Sequence, residues 1–260
     1  MWYFNEKMKN EGTTQMFAAP YFTSDLHKKV ALFGAFGPAT YMYNCKSPLF
    51  VILADLHVDQ IFELLGVQQF LPGLVLDKVG ADLCSVVDDF CVMFLEFICG
   101  PTQDLNASRT EVYISKTPAG TSVKNMAHWA QGIRRDRFEM YDYGTPERNE
   151  QVYGQREPPQ YDLSALSIPT AFYSGSNDWL ADPEDVQVLL ENVNPDIIVQ
   201  NKTVNGFAHL DFVWGVHANT RVYDDLLLHL YNYLGPGRRV SSASTTTNGQ
   251  YDRRARIHAL

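Results

Sequence analysis

The amino-acid sequence predicts an α/β fold in which a mostly helical segment is inserted into the core. Short apolar runs alternate with amphipathic helices near the start of the 260-residue chain, and the same alternation returns towards its end. Between these two regions the periodicity is helical. We therefore divide the chain into a first core part at 1–44, a helical cap at 45–163, a second core part at 164–235 and a tail at 236–260.

The first core part is expected to supply one helix and one strand. Residues 12–29 can form the helix, although Pro20 should kink or interrupt it because the proline ring clashes with the preceding turn. Residues 29–36 are an apolar run followed by Gly and Pro, which is typical of a strand buried in a parallel sheet.

The cap is predicted from helical periodicity and apolar content. One face of an amphipathic helix, with spacing i, i+3, i+4 and i+7, is formed by Val58, Ile61, Phe62 and Leu65. Residues 86–99 are apolar on most sides, so this helix should be buried or meet another apolar surface. Aromatic rings of the cap include Phe62, Phe70, Phe90, Phe94 and Phe97. A helical core explains these rings, and a cap over a lipid substrate would also favour them.

The second core part returns to the alternation of strands and helices. Residues 169–173 and 196–204 are predicted strands. Between them Asp182 can cap a helix whose first residue is Pro183, since both residue types favour these positions. A last amphipathic helix at 222–230 is followed by a Gly-Pro stop. The Ser-, Thr-, Arg- and Gly-rich tail beyond it has little to bury and is expected to be disordered.

Composition and charge limit the classes of protein. The formal net charge of -9 argues against nucleic-acid binding, which needs a basic surface. No apolar run approaches the roughly 18 residues of a membrane-spanning helix. The first residues also lack the apolar stretch of a signal peptide, so the sequence as written leaves the localisation open. Asn106 and Asn201 nevertheless begin N-glycosylation sequons, which have meaning only in a secreted protein.

Two side chains near the C-terminal end carry the strongest indication of chemistry. Asp178 follows the strand at 169–173, and His209 follows the strand at 196–204. An acid after one strand and a histidine after the next is the order in which α/β-hydrolases supply the last members of a Ser-His-Asp triad. There the histidine is the general base and the acid orients it. Asp182 is the competing acid, but its role as a helix cap explains it.

The cysteines match no zinc-binding spacing; they are Cys45, Cys84, Cys91 and Cys99. A disulfide and plain buried thiols therefore both remain open, and composition alone favours buried thiols. Neither a metal ion nor a cofactor is expected in the predicted site.

Several stretches of the sequence resemble the acid lipases, the family that includes gastric lipase and lysosomal acid lipase. They are residues 113–129, 141–144, 177–182 and 209–214, and the similarity covers about 12–234. The resemblance implies an α/β-hydrolase core, with a cap and lid made by the predicted cap. It also implies hydrolysis of triacylglycerols or cholesteryl esters at a lipid–water interface, without a metal, by a secreted or lysosomal protein.

The resemblance implies roles for individual residues as well. Asp178 and His209 match the triad acid and the triad base of the family. Cys91 and Cys99 match a family disulfide, and glycosylation would fit Asn106 and, as a weaker match, Asn201; the family needs no cofactor. These assignments are expectations that follow from the resemblance.

The chain departs from the family at the nucleophile. No Gly-x-Ser-x-Gly occurs in the sequence, and Gly12 aligns with the last glycine of the family's Gly-His-Ser-Gln-Gly-Thr-Thr. This alignment puts Asn10 at the nucleophile position and the backbone N–H of Glu11 in the oxyanion hole. An amide side chain cannot form an acyl-enzyme, so we expect the chain as written to be inactive.

Three hypotheses explain the missing serine. The first is a truncated form of a lipid ester hydrolase that lacks the family's upstream third, and the second is a non-catalytic pseudoenzyme that binds lipids through its cap. The sequence also leaves open an esterase for smaller soluble esters.

Overall fold

Five strands occur within the described residues, and they form two sheets. They are β1 (Phe33–Phe36), β2 (Gln69–Phe70), β3 (Thr121–Ser122), β4 (Thr170–Gly175) and β5 (Ile198–Val204). β1, β4 and β5 form a parallel sheet in the order β1–β4–β5, and β2 pairs antiparallel with β3. Every residue of the central strand β4 is buried. The strands predicted within 29–36, 169–173 and 196–204 are confirmed, whereas the short β2–β3 pair was not predicted.

The computed structural model describes residues 12–23, 25–57, 61, 69–70, 88–114 and 121–234. Several predictions lie outside the described residues: the nucleophile position Asn10, the oxyanion position Glu11, most of the helix expected around 58–65, Cys84 and the tail at 236–260. The side chains of Phe70 and Phe90 also lie outside the description.

Helices account for most of the remaining described structure. The α-helices are α1 (Gly12–Phe22), α2 (Pro48–Asp55), α3 (Asp88–Cys99), α4 (Thr110–Ile114), α5 (Val123–Arg134), α6 (Pro146–Tyr153), α7 (Pro183–Asn192), α8 (Asp211–Trp214) and α9 (Asp224–Leu234). Short 3-10 helices lie at Leu26–Lys28, Ala107–Arg109, Leu163–Ala165 and Pro195–Ile197, and a π-helical turn lies at Asn219–Tyr223. Over these stretches, no helix has the length and apolar character needed to cross a membrane.

Two of these helices show how local sequence sets their ends. α1 contains Pro20 in its last turn and ends at Phe22, short of the predicted end at residue 29. α7 begins as predicted, because the side chain of Asp182 accepts a hydrogen bond from the backbone N–H of Glu184 at 3.0 Å and Pro183 is the first helical residue.

Helices cover both faces of the parallel sheet. On one face, Phe17 of α1 and Leu189 of α7 pack in the same buried cluster as Phe172 of β4. On the other face, Phe212 of α8 packs in a cluster with Tyr173 of β4. Neighbouring residues of a strand point to opposite faces, so β4 is buried from both sides. The α/β class predicted from the sequence is thus confirmed.

The described helices within residues 45–163 pack against the core but also leave an apolar surface. One buried cluster joins α2, α3, α5 and α7 through Ala54, Cys99, Ile133 and Val186. The helix predicted at 86–99 is present as α3, yet its side chains Met93, Phe94 and Phe97 are 58%, 45% and 42% exposed. The domain limits at 44, 163 and 235 stay a prediction.

The disulfide expected between Cys91 and Cys99 is wrong. Cys99 has a free, buried thiol, as does Cys45. The physical reason is that Cys91 and Cys99 lie on the same helix, α3, eight positions apart. A rise of 1.5 Å per residue separates their Cα atoms by about 12 Å, whereas a disulfide needs a Cα separation below about 7 Å.

Candidate active site

The structure brings Asp178 and His209 into direct contact at one edge of the parallel sheet. Asp178 lies in the turn after β4, and His209 lies in the loop after β5. β4 and β5 are parallel neighbours, so their carboxyl ends meet at the same edge. The Nδ1 atom of His209 is 2.9 Å from Oδ2 of Asp178. Strand order and the resemblance to the acid lipases both predict these two residues as the acid and the base.

The Asp178 carboxylate is held in place by three hydrogen bonds. Its side chain is fully buried, and Oδ1 accepts bonds from the backbone N–H groups of Leu180 at 2.9 Å and Ala181 at 2.8 Å. Oδ2 is thereby directed at the imidazole of His209. A buried carboxylate needs such partners, because an unpaired one would cost several kcal/mol.

The environment of His209 favours its protonated form. Burial alone would lower the pKa of His209, but the charge of Asp178 and its hydrogen bond outweigh burial and raise that pKa above the ordinary value. With Nδ1 bonded to the carboxylate, Nε2 is the ring nitrogen directed to proton exchange. A histidine whose cation is stabilised by a buried acid can accept a proton from a nucleophile and return it to a leaving group.

Gly37 is a site residue that sequence reasoning missed. It lies directly after β1 with φ +50°, and its N–H donates to the carbonyl of Tyr173 at 2.9 Å. A Cβ atom at this position would lie 3.0 Å from both Oδ2 of Asp178 and Nδ1 of His209. Gly37 therefore closes one side of the acid–histidine contact. The Gly-Pro pair at the end of the first predicted strand was the available signal.

Sequence reasoning also missed the part that the backbone carbonyl of Cys99 plays in the site. This carbonyl accepts hydrogen bonds from the backbone N–H groups of Trp179 and His209, each at 3.3 Å. One carbonyl at the end of α3 thus contacts the loops that carry both candidate residues. No local pattern signals this contact, because its partners lie 80 or more positions further along the chain.

Asp182, the competing acid, has a different role. It is 1% exposed, caps α7 and lies 2.8 Å from Nζ of Lys46. These partners account for its carboxylate and leave Asp178 as the acid that contacts the histidine.

The two sequons lie in surface segments. Oδ1 of Asn106 accepts hydrogen bonds from the N–H and the hydroxyl of Ser108, at 3.1 Å and 2.7 Å, and caps a 3-10 helix. Asn201 is exposed on β5. Asn106 is thus partly exposed and Asn201 exposed.

A small cavity lies beside the end of β1. Its volume is about 30 Å³, and its lining includes Thr14, Thr40 and Glu139. The Oγ1 atom of Thr40 and the Oε2 atom of Glu139 are buried there without a hydrogen-bond partner. A cavity of this size has room for water. In the part of the chain that the structure describes, no three His, Cys, Asp or Glu side chains are grouped as a metal site requires.

Fold and site together define the class of protein. A parallel sheet covered by helices on both faces, with an acid and a histidine in contact after successive strands, is the arrangement of an α/β-hydrolase core.

The chain is similar to acid lipases over most of its length. It is 37% identical to gastric triacylglycerol lipase of Rattus norvegicus over 223 residues, which are 84% of this chain and 55% of that protein. It is 35% identical to human lysosomal acid lipase/cholesteryl ester hydrolase over 228 residues, 86% of this chain and 56% of that protein. The lipase lipl-1 of Caenorhabditis elegans is 39% identical over 211 residues, 76% of this chain and 51% of that protein. The resemblance to the acid lipases is confirmed.

The similarity covers only part of each relative. The chain spans about half the length of the curated relatives it matches. No family model matches the chain. Among solved structures, an α/β-hydrolase enzyme from a Medee basin deep-sea metagenome library has a TM-score of 0.34 and 11% identity, covering 87% of this chain and 64% of that one. That likeness is too weak to carry an argument.

Proposed function

We propose that the chain is part of a lipase-type carboxylic ester hydrolase for neutral lipid esters, with Asp178 as the triad acid and His209 as the general base. The observation that carries this is the 2.9 Å hydrogen bond between Nδ1 of His209 and the buried carboxylate of Asp178. The substrate class is supported by relatives named triacylglycerol lipase and cholesteryl ester hydrolase.

In this reaction His209 moves a proton twice. Nε2 takes the proton of a nucleophilic hydroxyl as it attacks the ester carbonyl, and it then donates that proton to the departing alcohol. Asp178 holds the Nδ1–H tautomer and stabilises the imidazolium that forms in between, in agreement with the raised pKa of His209. Gly37 leaves room for this contact.

In this proposal the position aligned with the catalytic nucleophile carries no hydroxyl group. The resemblance aligns Asn10 with the triad serine, and an amide cannot form the acyl-enzyme. Glu11 would contribute only its backbone N–H to an oxyanion hole, and loss of one oxyanion donor costs roughly 100- to 1000-fold in rate. We therefore expect the chain as written to be catalytically inactive.

Inactivity is tested on the purified chain with three substrates and a covalent probe. The substrates are an emulsified triacylglycerol, a cholesteryl ester and a soluble short-chain ester, each at acidic and neutral pH. The probe is a fluorophosphonate that labels activated serines. We expect neither turnover nor labelling. Labelling of this polypeptide, or turnover that His209→Gln abolishes, would overturn the proposal of inactivity; turnover of the short-chain ester alone would indicate the smaller-ester esterase.

The truncated form is tested at the level of transcripts. A longer transcript of the same gene should encode Gly-x-Ser-x-Gly with its last glycine joined to Thr13. If every transcript instead encodes Asn10 at this place, truncation of an active enzyme is rejected and the pseudoenzyme is favoured.

A lipid-binding pseudoenzyme is the second candidate, favoured by the exposed apolar side chains of α3. Replacing Met93, Phe94 and Phe97 together by Gln should abolish binding of a fluorescent cholesteryl ester if α3 holds the lipid. The matched control replaces Leu227 and Leu228 of α9, which are also exposed, by Gln. Equal loss in both variants would reject a specific role of α3.

We also place the proposed enzyme at a lipid–water interface in a secreted or lysosomal setting, with glycans at Asn106 and Asn201. Support comes from the surface position of both asparagines and from gastric and lysosomal relatives. Expression in a secreting eukaryotic host should give a mass increase that glycosidase removes. Asn106→Gln and Asn201→Gln should each remove one glycan; an unchanged mass would reject that site.

A further inference from the structure

One short segment contacts both loops of the candidate active site. It comprises residues 99–105, which begin at the last residue of α3, and we call it the connector. Its first carbonyl, that of Cys99, accepts the N–H of Trp179, next to the acid, and the N–H of His209 itself, each at 3.3 Å. The relative position of Asp178 and His209 is thus tied to one point of the connector.

Gly100 brings the connector closer to the turn that carries Asp178 than any other residue type permits. Its φ is +103°, and a Cβ atom there would lie 1.9 Å from the carbonyl oxygen of Asn177. The next residue, Pro101, accepts a hydrogen bond from Nδ2 of Asn177 at 2.9 Å. The residue before Asp178 is therefore held by backbone contact and by its side chain.

Thr102 holds the histidine loop, by which we mean residues 205–210 between β5 and α8. Its hydroxyl donates to Oδ1 of Asp211 at 2.5 Å and accepts the N–H groups of Asp104 and Leu105 at 3.1 Å and 3.2 Å. The other carboxylate oxygen of Asp211 accepts the N–H of Ala208 at 2.7 Å. Asp211 is 1% exposed, so this chain of bonds fixes the backbone on both sides of His209 inside the protein.

The far end of the connector holds the segment that follows α8. The buried carboxylate of Asp104 accepts the N–H of His217 at 2.8 Å and contacts Nδ1 of His217 at 2.6 Å. The carbonyl of Asp104 accepts the N–H of Val216 at 2.9 Å. The connector is therefore hydrogen-bonded both to Asp211, which binds the backbone next to His209, and to the segment after α8.

We propose that the connector positions the Asp178–His209 pair, and that Gly100 and Thr102 are its positioning residues. Neither touches the reacting atoms; both act through the loops that they hold. The proposal concerns the site of the proposed function. Its test reads the imidazole of His209 and needs no ester turnover, so its failure is distinguishable from failure of the proposed function.

The first test compares Thr102→Val with Thr102→Ser in the full chain. Nitrogen and proton NMR resonances of the imidazole are assigned with His209→Gln and titrated with pH. Thr102→Val removes the hydroxyl at nearly constant shape and should loosen the contact between His209 and Asp178. A close opposite charge shifts a pKa by about 1–3 units, so the His209 pKa should fall by about one unit. Thr102→Ser keeps the hydroxyl and should restore the wild-type titration.

The second test compares Gly100→Ala with Gly144→Ala. Gly144 also has a positive φ, +85°, but a Cβ atom there meets nothing within 4 Å. Gly100→Ala should displace the Nδ1 resonance of His209 and lower its pKa, whereas Gly144→Ala should change only the unfolding midpoint.

If Thr102→Val and every folded Gly100 variant lose stability with an unchanged His209 titration, the connector is merely structural and the proposal is overturned. If Gly100→Ala does not fold, the Thr102 pair decides alone.

Discussion

At the scale of single residues, Asp178 sets both the tautomer and the pKa of His209. Asp178→Asn keeps an oxygen for the N–H groups of Leu180 and Ala181 but removes the charge that faces the imidazole. We expect the protein to remain folded while the His209 pKa falls below its wild-type value and Nδ1 becomes an acceptor. Imidazole NMR measures both quantities; an unchanged pKa would show that burial and not Asp178 governs this histidine.

Gly37 makes a second prediction at this scale. In Gly37→Ala, a methyl group 3.0 Å from Asp178 Oδ2 and His209 Nδ1 adds to the strain of φ +50°, so the free energy of unfolding should fall by about 2–3 kcal/mol. The control Gly154→Ala has φ +72° and open space around its Cβ, and should cost only about 1 kcal/mol. Urea denaturation measures the difference. Equal losses would mean that Gly37 serves the backbone alone.

At the scale of elements, a buried carboxylate joins α7 to the segment after β1. Oδ1 and Oδ2 of Asp185 accept the N–H of Asn44 at 3.2 Å and 3.0 Å, and Oδ1 also accepts Nδ2 of Asn44 at 2.9 Å. Burial raises the pKa of Asp185 to about 6, although the Asn44 bonds oppose this. The folded state therefore binds this proton more tightly than the unfolded state, and the stabilisation present below about pH 4 is lost as pH rises through about 6.

Asp185→Asn should remove this pH dependence. An amide keeps an acceptor for Asn44 and carries no charge, so the variant should gain about 1–3 kcal/mol relative to wild type at neutral pH and nothing near pH 4. Urea denaturation at both pH values measures the difference. Asp196→Asn, an exposed acid in a 3-10 helix, serves as the control and should change neither value. A neutral-pH loss in Asp185→Asn would show that the hydrogen bonds outweigh the charge.

The elements that the sequence predicted correctly are those with local causes. Apolar runs gave the three parallel strands, and the Asp182–Pro183 cap gave the start of α7, because these signals lie within a few residues of what they determine. The connector, by contrast, depends on contacts such as Thr102 with Asp211, 109 positions apart, which no local pattern contains. The Cys91–Cys99 pairing was wrong although the helix that forbids it was itself predicted.

At the scale of the whole molecule, most of the described carboxyl and imidazole groups with a shifted pKa stabilise the folded state more in acid. Burial raises the pKa values of Glu139, Asp185 and Asp211. The pKa of His209 is also raised: burial lowers it, but the neighbouring carboxylate of Asp178 outweighs burial. Each contributes stability at low pH that is lost as pH rises through its folded value. His128 has the opposite sign, because burial lowers its pKa and its contribution is lost as pH falls.

Four groups therefore oppose one. Asp185, with a pKa of about 6, and His209, whose pKa is raised above its ordinary value, set the pH window, so the free energy of unfolding should be higher at about pH 5.5 than at about pH 7.5, by roughly 1–3 kcal/mol. The formal charge of -9 acts in the same direction, because acid reduces self-repulsion. Urea denaturation with a constant slope at both pH values measures the difference. His209→Gln and Asp185→Asn should each reduce it, and His128→Asn should enlarge it. Greater stability at the higher pH would show that His128 outweighs the other four groups.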